Sequence, residues 1–332
     1  MSTLSFEGRC PCIMETASSV GKKEGEGRLM PYFDNIFKDA YLGEKSWEKA
    51  ESRLIKNTLE TLFQKSKTSA EEIDVIFGGD LLNQCIGSNY GLLDFNIPFF
   101  GLYGACSTFV EGLILASITV NGAHAKKAVA VTSSHFCSSE RQFRFPLDYG
   151  GQRPPTAQWT VTGSGAALLG TEGNIKITHA TVGKIIDYGI KDVNNMGSAM
   201  APAAIDTIVR HFKDRNLSSD YFDLVATGDL GMIGRQIVEE QLSFYGIDVK
   251  GRYIDCGEQI FDNKKQDTHA GGSGCGCCAS VFSGWLYKLL KQKKHKKILL
   301  VATGALMSPT TCFQGENIPG IAHAVSIERV DD

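Results

Sequence analysis

Hydrophobic positions along this chain follow two rhythms. Between Ser46 and Lys65, Trp47, Leu54, Ile55, Leu59, Leu62 and Phe63 recur at helical spacing, with Ser46 placed as N-cap and glutamates in the first turn. The β-branched and aromatic run Ile73–Phe77 predicts a buried strand. Ile97–Cys106 ends in Gly101-Leu-Tyr-Gly104-Ala-Cys106, and a helix follows with Phe109, Val110, Leu113, Ile114 and Ala116 on one side. Ala128–Thr132, Gly163–Gly170 and Ile175–Val182 read as strands. The alternation then restarts: a helix over Ala199–Phe212 with Pro202 in its first turn, a strand at Leu224–Ala226, a helix over Ile233–Tyr245, a Gly-rich turn running into a helix over Gly271–Tyr287, and a strand at Ile298–Thr303. Strands alternating with helices in both halves predict α/β layers. Residues 1–45 lack clear periodicity, and Val20–Gly27 reads as an exposed loop. Phe143–Thr162 reads as a long Gly- and Pro-rich loop, of a length that in compact folds is functional or covers something.

The restart is also literal. Asp74–Asp80 (D-V-I-F-G-G-D) returns as Asp223–Asp229 (D-L-V-A-T-G-D), Cys106–Gly112 as Cys278–Gly284, and Lys127–Ser133 as Lys297–Gly304. Order is kept and spacing nearly kept. A repeat this long is not a solenoid unit of ~20–50 residues. It predicts two homologous halves, residues 1–171 and 172–332, with a site where they meet.

Composition narrows the partners. The net charge of −3 over 332 residues leaves no basic excess for nucleic acid. The one basic run, Lys288–Lys297, follows a hydrophobic helix and reads as a solvated helix end that complements the macrodipole. No stretch approaches the ~20 apolar residues of a membrane span, and the N-terminus, with Glu7 and Arg9, has no signal-peptide core. The ten cysteines fit no regular framework and read as reduced thiols. Neither Cys10-Pro-Cys12 nor Cys275-Gly-Cys277-Cys278 has paired zinc-ligand spacing, so no metal site is expected.

Cys106 is the leading candidate for chemistry. It sits on a turn made by Gly101 and Gly104 where a helix begins, so the helix dipole and free N–H groups are expected to favour its thiolate. The alternative is a small buried hydrophobe at a helix start. Asp80 and Asp229 end equivalent strands, where carboxylates face a ligand crevice or form turns. In Thr132-Ser-Ser-His135, Ser133, Ser134 and His135 offer donors for an anion, or structural hydrogen bonds. His269 precedes Gly271-Gly-Ser-Gly-Cys-Gly276, which is no dinucleotide fingerprint; its glycines suit close approach of backbone to the facing half.

Duplicated halves with a cysteine on a turn-to-helix junction between them resemble the thiolase superfamily, which includes thiolases and ketoacyl-acyl carrier protein synthases. The resemblance spans nearly the whole chain. It implies a five-layer α-β-α-β-α sandwich of two homologous halves, with Cys106 in the place of the acyl-accepting cysteine. The departures matter. Thr227 stands where the ketoacyl synthase III branch has a catalytic histidine, Cys275 stands where it has an asparagine, and the G-H-P signature of thiolases is absent. Without those groups the condensation step lacks its base and its oxyanion stabilisation. The fold is expected to be kept and the enzyme chemistry dismantled.

Longer strings are more specific. Gly25-Glu-Gly27, Gly43-Glu-Lys-Ser-Trp-Glu-Lys-Ala50, the run from Phe143 to Thr160 and Gly271–Gly276 resemble the stage V sporulation protein AD family. That resemblance implies a non-enzymatic protein of endospore formers that binds dipicolinic acid, pyridine-2,6-dicarboxylate, with or without Ca²⁺. It further implies peripheral association with the spore inner membrane, membrane partners encoded in the same operon, no cofactor, and an acyltransferase with Cys106 as nucleophile as the alternative. Superfamily relatives imply a possible homodimer. Carrying the superfamily pocket over points to Asp80, Cys106, Ser133, Ser134, His135 and His269 as ligand-binding residues. Asp80 would repel a bare dianion, so its expected partner is a ligand-borne Ca²⁺, a water or a neighbouring N–H.

Overall fold

The structure, a computed structural model, describes residues 3–143 and 152–330. The segment Arg144–Gly151, which carries part of the string beginning at Phe143, lies outside the described residues. The strands are β1 (Thr3–Ser5), β2 (Cys12–Val20), β3 (Asn35–Ile36), β4 (Val75–Gly79), β5 (Phe99–Gly101), β6 (Ala128–Ser134), β7 (Trp159–Thr160), β8 (Gly163–Gly170), β9 (Ile175–Thr181), β10 (Leu224–Thr227), β11 (Tyr253–Asp255), β12 (Gly272–Ser273), β13 (Lys297–Ala305) and β14 (Gly320–Arg329).

Across the main sheet the order is β11-β10-β13-β14-β9-β2-β8-β6-β4-β5. β2 and β9 meet through a single pair, Cys12 with Lys176, so the sheet divides there into two halves. Numbered by appearance, the strands of each half lie in the same order, 3-2-4-5-1. The repeated strings therefore occupy matching places: β4 and β10 are both second strands, and β6 and β13 both fourth. β1 adds to β9, β3 adds to β2, and β7 pairs with β12 in a separate two-stranded ribbon.

Helices α1 (Lys22–Gly25), α2 (Trp47–Ser66), α3 (Ile86–Leu92), α4 (Thr108–Asn121), α5 (Phe136–Phe143), α6 (Met196–Asp214), α7 (Gly231–Phe244), α8 (Cys256–Ile260), α9 (Cys275–Val281), α10 (Tyr287–Lys291) and α11 (Pro309–Phe313) complete the chain. α2 covers one sheet half from outside, packing Ile55, Leu59 and Leu62 on Ile76, Val129 and Val131. α6 covers the other, packing Ala204 and Ile208 on Val225, Leu299 and Val301. Between the halves lie α4 and α9–α10, where Phe109, Leu113, Val281 and Phe282 meet Ala128, Ala130, Val325 and Ile327. The result is the five-layer sandwich α-β-α-β-α. β6 shows why its residues read as one buried run: Ala128 and Ala130 face the middle layer, Val129 and Val131 the outer one, and both faces are covered.

The predicted helix at Ser46 is present, with the Ser46 hydroxyl accepting the Lys49 N–H. Two local expectations are corrected. Val20–Gly27 is not an exposed loop: Val20 ends β2, α1 follows, and Glu24 is buried. Pro202 lies inside α6, in its second turn, because the helix starts earlier, at Met196. β14 and α3 had no periodic signal strong enough to announce them. Among the described residues no helix is long and apolar enough to cross a membrane.

Candidate functional site

Cys106 is held by a strained turn. Ala105 has φ +53°, a left-handed conformation unusual for a residue with a side chain, and it tips the chain from β5 into α4. Side chains lock the turn: the Ser107 hydroxyl donates to the Gly104 carbonyl at 2.7 Å, and the Thr108 hydroxyl donates to the Ala105 carbonyl at 2.6 Å. The thiol faces the backbone N–H of Gly274 from the other half, with Asp229 and Cys275 nearby. It borders a cavity of about 480 Å³.

The expected thiolate is not what this setting favours. Burial pushes the Cys106 thiol far above its ordinary range, and the Asp229 carboxylate adds to the shift. The Gly274 N–H works in the opposite direction but is outweighed.

Of the six expected ligand-binding residues, only Cys106 lines this cavity. Asp80 is buried and spends its oxygens closing the turn after β4: it accepts the Leu82 N–H at 2.8 Å and both the N–H and hydroxyl of Ser88 at 2.6 Å. Strand alternation separates the members of the Thr132–His135 run. Ser133 and His135 point to the outer face, where Ser133 donates to Glu51 and His135 Nε2 meets the Ala40 carbonyl at 2.7 Å. Thr132 and Ser134 point inward, to the Cys275 and Val161 carbonyls, each at 2.7 Å. His269 holds a left-handed turn, φ +49°, beside Asp267. Burial also keeps His135 below the usual histidine range, so it is neutral and structural.

The second half shows the same economy. The Thr227 hydroxyl donates to Asp255 at 2.7 Å, and Asp255 also accepts the N–H groups of Leu230, Gly231 and Gly257. Burial raises the Asp255 carboxyl to about 7. Asp229 is fully buried; burial and the neighbouring Asp255 hold its carboxyl well above the usual range, against the pull of the Thr303 and Cys278 N–H groups and the Cys277 thiol. The Cys275 thiol donates to the Ser133 carbonyl at 3.0 Å. No histidine lines the cavity among the described residues. The glycine run behaves as read: a Cβ on Gly276 would fall on the Gly163 carbonyl oxygen, so α9 lies directly on β8.

The cavity wall is made largely of residues the sequence did not single out. Its polar lining residues include Asn83, Glu140, Gln142 and Thr160. Glu140 is buried, accepts the Thr160 hydroxyl at 2.8 Å, and lies 3.8 Å from the Arg153 guanidinium. The Gln142 side chain accepts the Asn83 N–H at 3.2 Å. Its apolar lining residues include Leu81, Val193, Met196, Leu306 and Met307. The one available signal was the long segment Phe143–Thr162: Glu140 and Gln142 precede it and Thr160 lies within it.

The sequence profile of stage V sporulation protein AD matches residues 1–328. The chain belongs to the stage V sporulation protein AD family. Its role is therefore in sporulation. The family member of Bacillus subtilis is 46% identical over 318 residues, which cover 96% of this chain and 94% of that protein. Two solved structures share the fold. The 3-oxoacyl-[acyl-carrier-protein] synthase III of Aquifex aeolicus has a TM-score of 0.58 at 13% identity, covering 96% of this chain and 99% of the other. Human mitochondrial 3-ketoacyl-CoA thiolase has 0.61 at 13%, covering 97% and 99%. At that identity the likeness is one of architecture, and it agrees with the thiolase-like sandwich read from the duplicated halves.

Proposed function

We propose that the cavity beside Cys106 binds dipicolinic acid as its calcium chelate, and that the protein is a receptor and not an enzyme. In this reading it supports uptake of the chelate into the developing spore and its release at germination. It would act at the spore inner membrane as a peripheral protein, with membrane partners from its operon. The observation that carries the reading is the composition of the cavity wall. A space of about 480 Å³ is of ordinary size for a small-molecule site. Its apolar lining residues suit a flat ring. Its oxygen-bearing lining residues suit a hard cation, which takes about 6–8 oxygen ligands. The wall carries the Glu140 carboxylate and, among the described residues, no Lys, Arg or His side chain. A bare dianion would meet repulsion from Glu140, partly offset by Arg153 at 3.8 Å; a neutral chelate would not. The sporulation role of the family supplies the setting.

Calorimetric titration with dipicolinate, with and without Ca²⁺, tests this. The chelate is expected to bind more tightly than the free dianion. Met196→Trp, which adds bulk to the cavity lining, is expected to abolish binding. No heat with either form, or undiminished binding by a folded Met196→Trp variant, removes the assignment.

One observation favours a second reading, acyl transfer through Cys106. The strained Ala105 turn still presents the thiol to a cavity, with the Gly274 N–H beside the sulfur. Intact-protein mass spectrometry after incubation with acyl thioesters separates the two. An acyl adduct on Cys106 supports transfer, and its absence across chain lengths supports the receptor.

A further inference from the structure

The segment from Leu306 to Asn317 forms one wall of the cavity and yet buries none of its own side chains. Leu306, Met307, Ser308, Pro309 and Thr311 border the space. Within the segment, α11 is closed by a reciprocal cap: the Thr311 N–H donates to the Ser308 hydroxyl, and the Ser308 N–H donates to the Thr311 hydroxyl. Further hydrogen bonds are internal, with Cys312, Gln314 and Glu316 donating to Ser308, Thr310 and Thr311. The two ends of the segment meet, the Leu306 N–H donating to the Pro319 carbonyl at 2.8 Å. Ile318, the first buried residue beyond, donates its N–H to the Ile190 carbonyl at 2.7 Å. Near the tip, Lys191 Nζ reaches the Gly315 carbonyl at 2.7 Å, while Asn317 bonds Asp187 at the base. Phe313 at the tip is 86% exposed.

A compact loop whose ends touch, whose side chains are at most half-buried, and which is tied to the rest of the chain chiefly by Lys191 on Gly315, Asn317 on Asp187 and the packing of Met307 on the second-half core, opens as a unit at modest cost. We propose that residues 306–317 are a lid over the cavity, hinged where Leu306 meets Pro319 and latched by Lys191 on Gly315. Opening of this lid gives small molecules access to Cys106. The inference rests on the cavity and its wall, and it holds whichever small molecule the cavity takes.

Cys106 is its own reporter. Methylthiolation by methyl methanethiosulfonate, which leaves a mixed methyl disulfide on the sulfur and releases methanesulfinate, followed on the folded full-length chain by peptide mass spectrometry, measures access to the thiol. Lys191→Met removes the latch and is expected to raise the Cys106 labelling rate about three- to tenfold. Amide hydrogen exchange over 306–317 is expected to be faster than in β13, and faster still in this variant. Replacing residues 308–316 with a short Gly-Ser bridge, which the touching ends permit, is expected to raise labelling further. Unchanged labelling in Lys191→Met and in the folded bridged variant overturns the lid, as does exchange over 306–317 as slow as in β13. If the bridged chain does not fold, Lys191→Met and the exchange measurement decide.

Discussion

Glu24 Oε1 accepts the Thr162 N–H at 2.9 Å, tying the helix after β2 to the start of β8, while its Oε2 accepts no hydrogen bond at all. Burial raises this carboxyl from 4.5 to about 7, against the pull of the Thr162 bond. The unfolded chain releases the proton near the lower value and the folded chain near the upper one. Stability from this group is therefore complete below about pH 4.5 and is lost as pH rises to about 7. Asp255 acts in the same direction. Glu24→Gln keeps the acceptor for Thr162 and removes the titration. Denaturant unfolding at about pH 5 and about pH 8 is expected to show a smaller loss in the variant, by about 3 kcal/mol at most. Equal losses in both proteins would show that Glu24 is charged in the fold.

Cys106 is predicted to be a slow thiol. Burial and Asp229 keep it protonated at neutral pH. Its iodoacetamide labelling at about pH 7.5 should be at least tenfold slower than that of a free peptide cysteine. The rate should keep climbing through about pH 10 without a plateau, since thiolate supplies the reaction. A plateau near neutrality, read by peptide mass spectrometry, would reinstate an activated nucleophile and with it the acyl-transfer reading.

Glu140→Gln separates the two forms of the proposed ligand. Removing the carboxylate from the oxygen-bearing wall is expected to weaken binding of the calcium chelate about tenfold and to strengthen binding of the free dianion. Calorimetry on both forms reads the change. Parallel shifts for the two would mean that Glu140 does not meet the cation.

Gly276→Ala probes the contact between α9 and β8. The added methyl meets the Gly163 carbonyl and the Ser134 N–H, both of them backbone in buried strands, so the layers must separate. A loss of about 3 kcal/mol in unfolding free energy is expected. Gly43→Ala at an exposed turn is the comparison: there no neighbour is near, and only the positive φ of 79° opposes the change.

Much of the architecture was legible because it rests on local periodicity and on repetition. Ser46 caps its helix as its position predicted, and the repeated aspartates Asp80 and Asp229 end strands that occupy matching places in the two halves. Direction and depth could not be read. Ser133 and Ser134 are neighbours in the chain but lie on opposite faces of β6, so a run that looked like one donor cluster serves two different layers. Glu140 and Met307 carry no motif, and with Thr160 they line one cavity only because α5, β7 and the segment after β13 converge on the Cys106 turn. A single strand or helix carries its pattern in its own residues; a cavity wall is shared among segments far apart in the chain, and only their packing brings it into being.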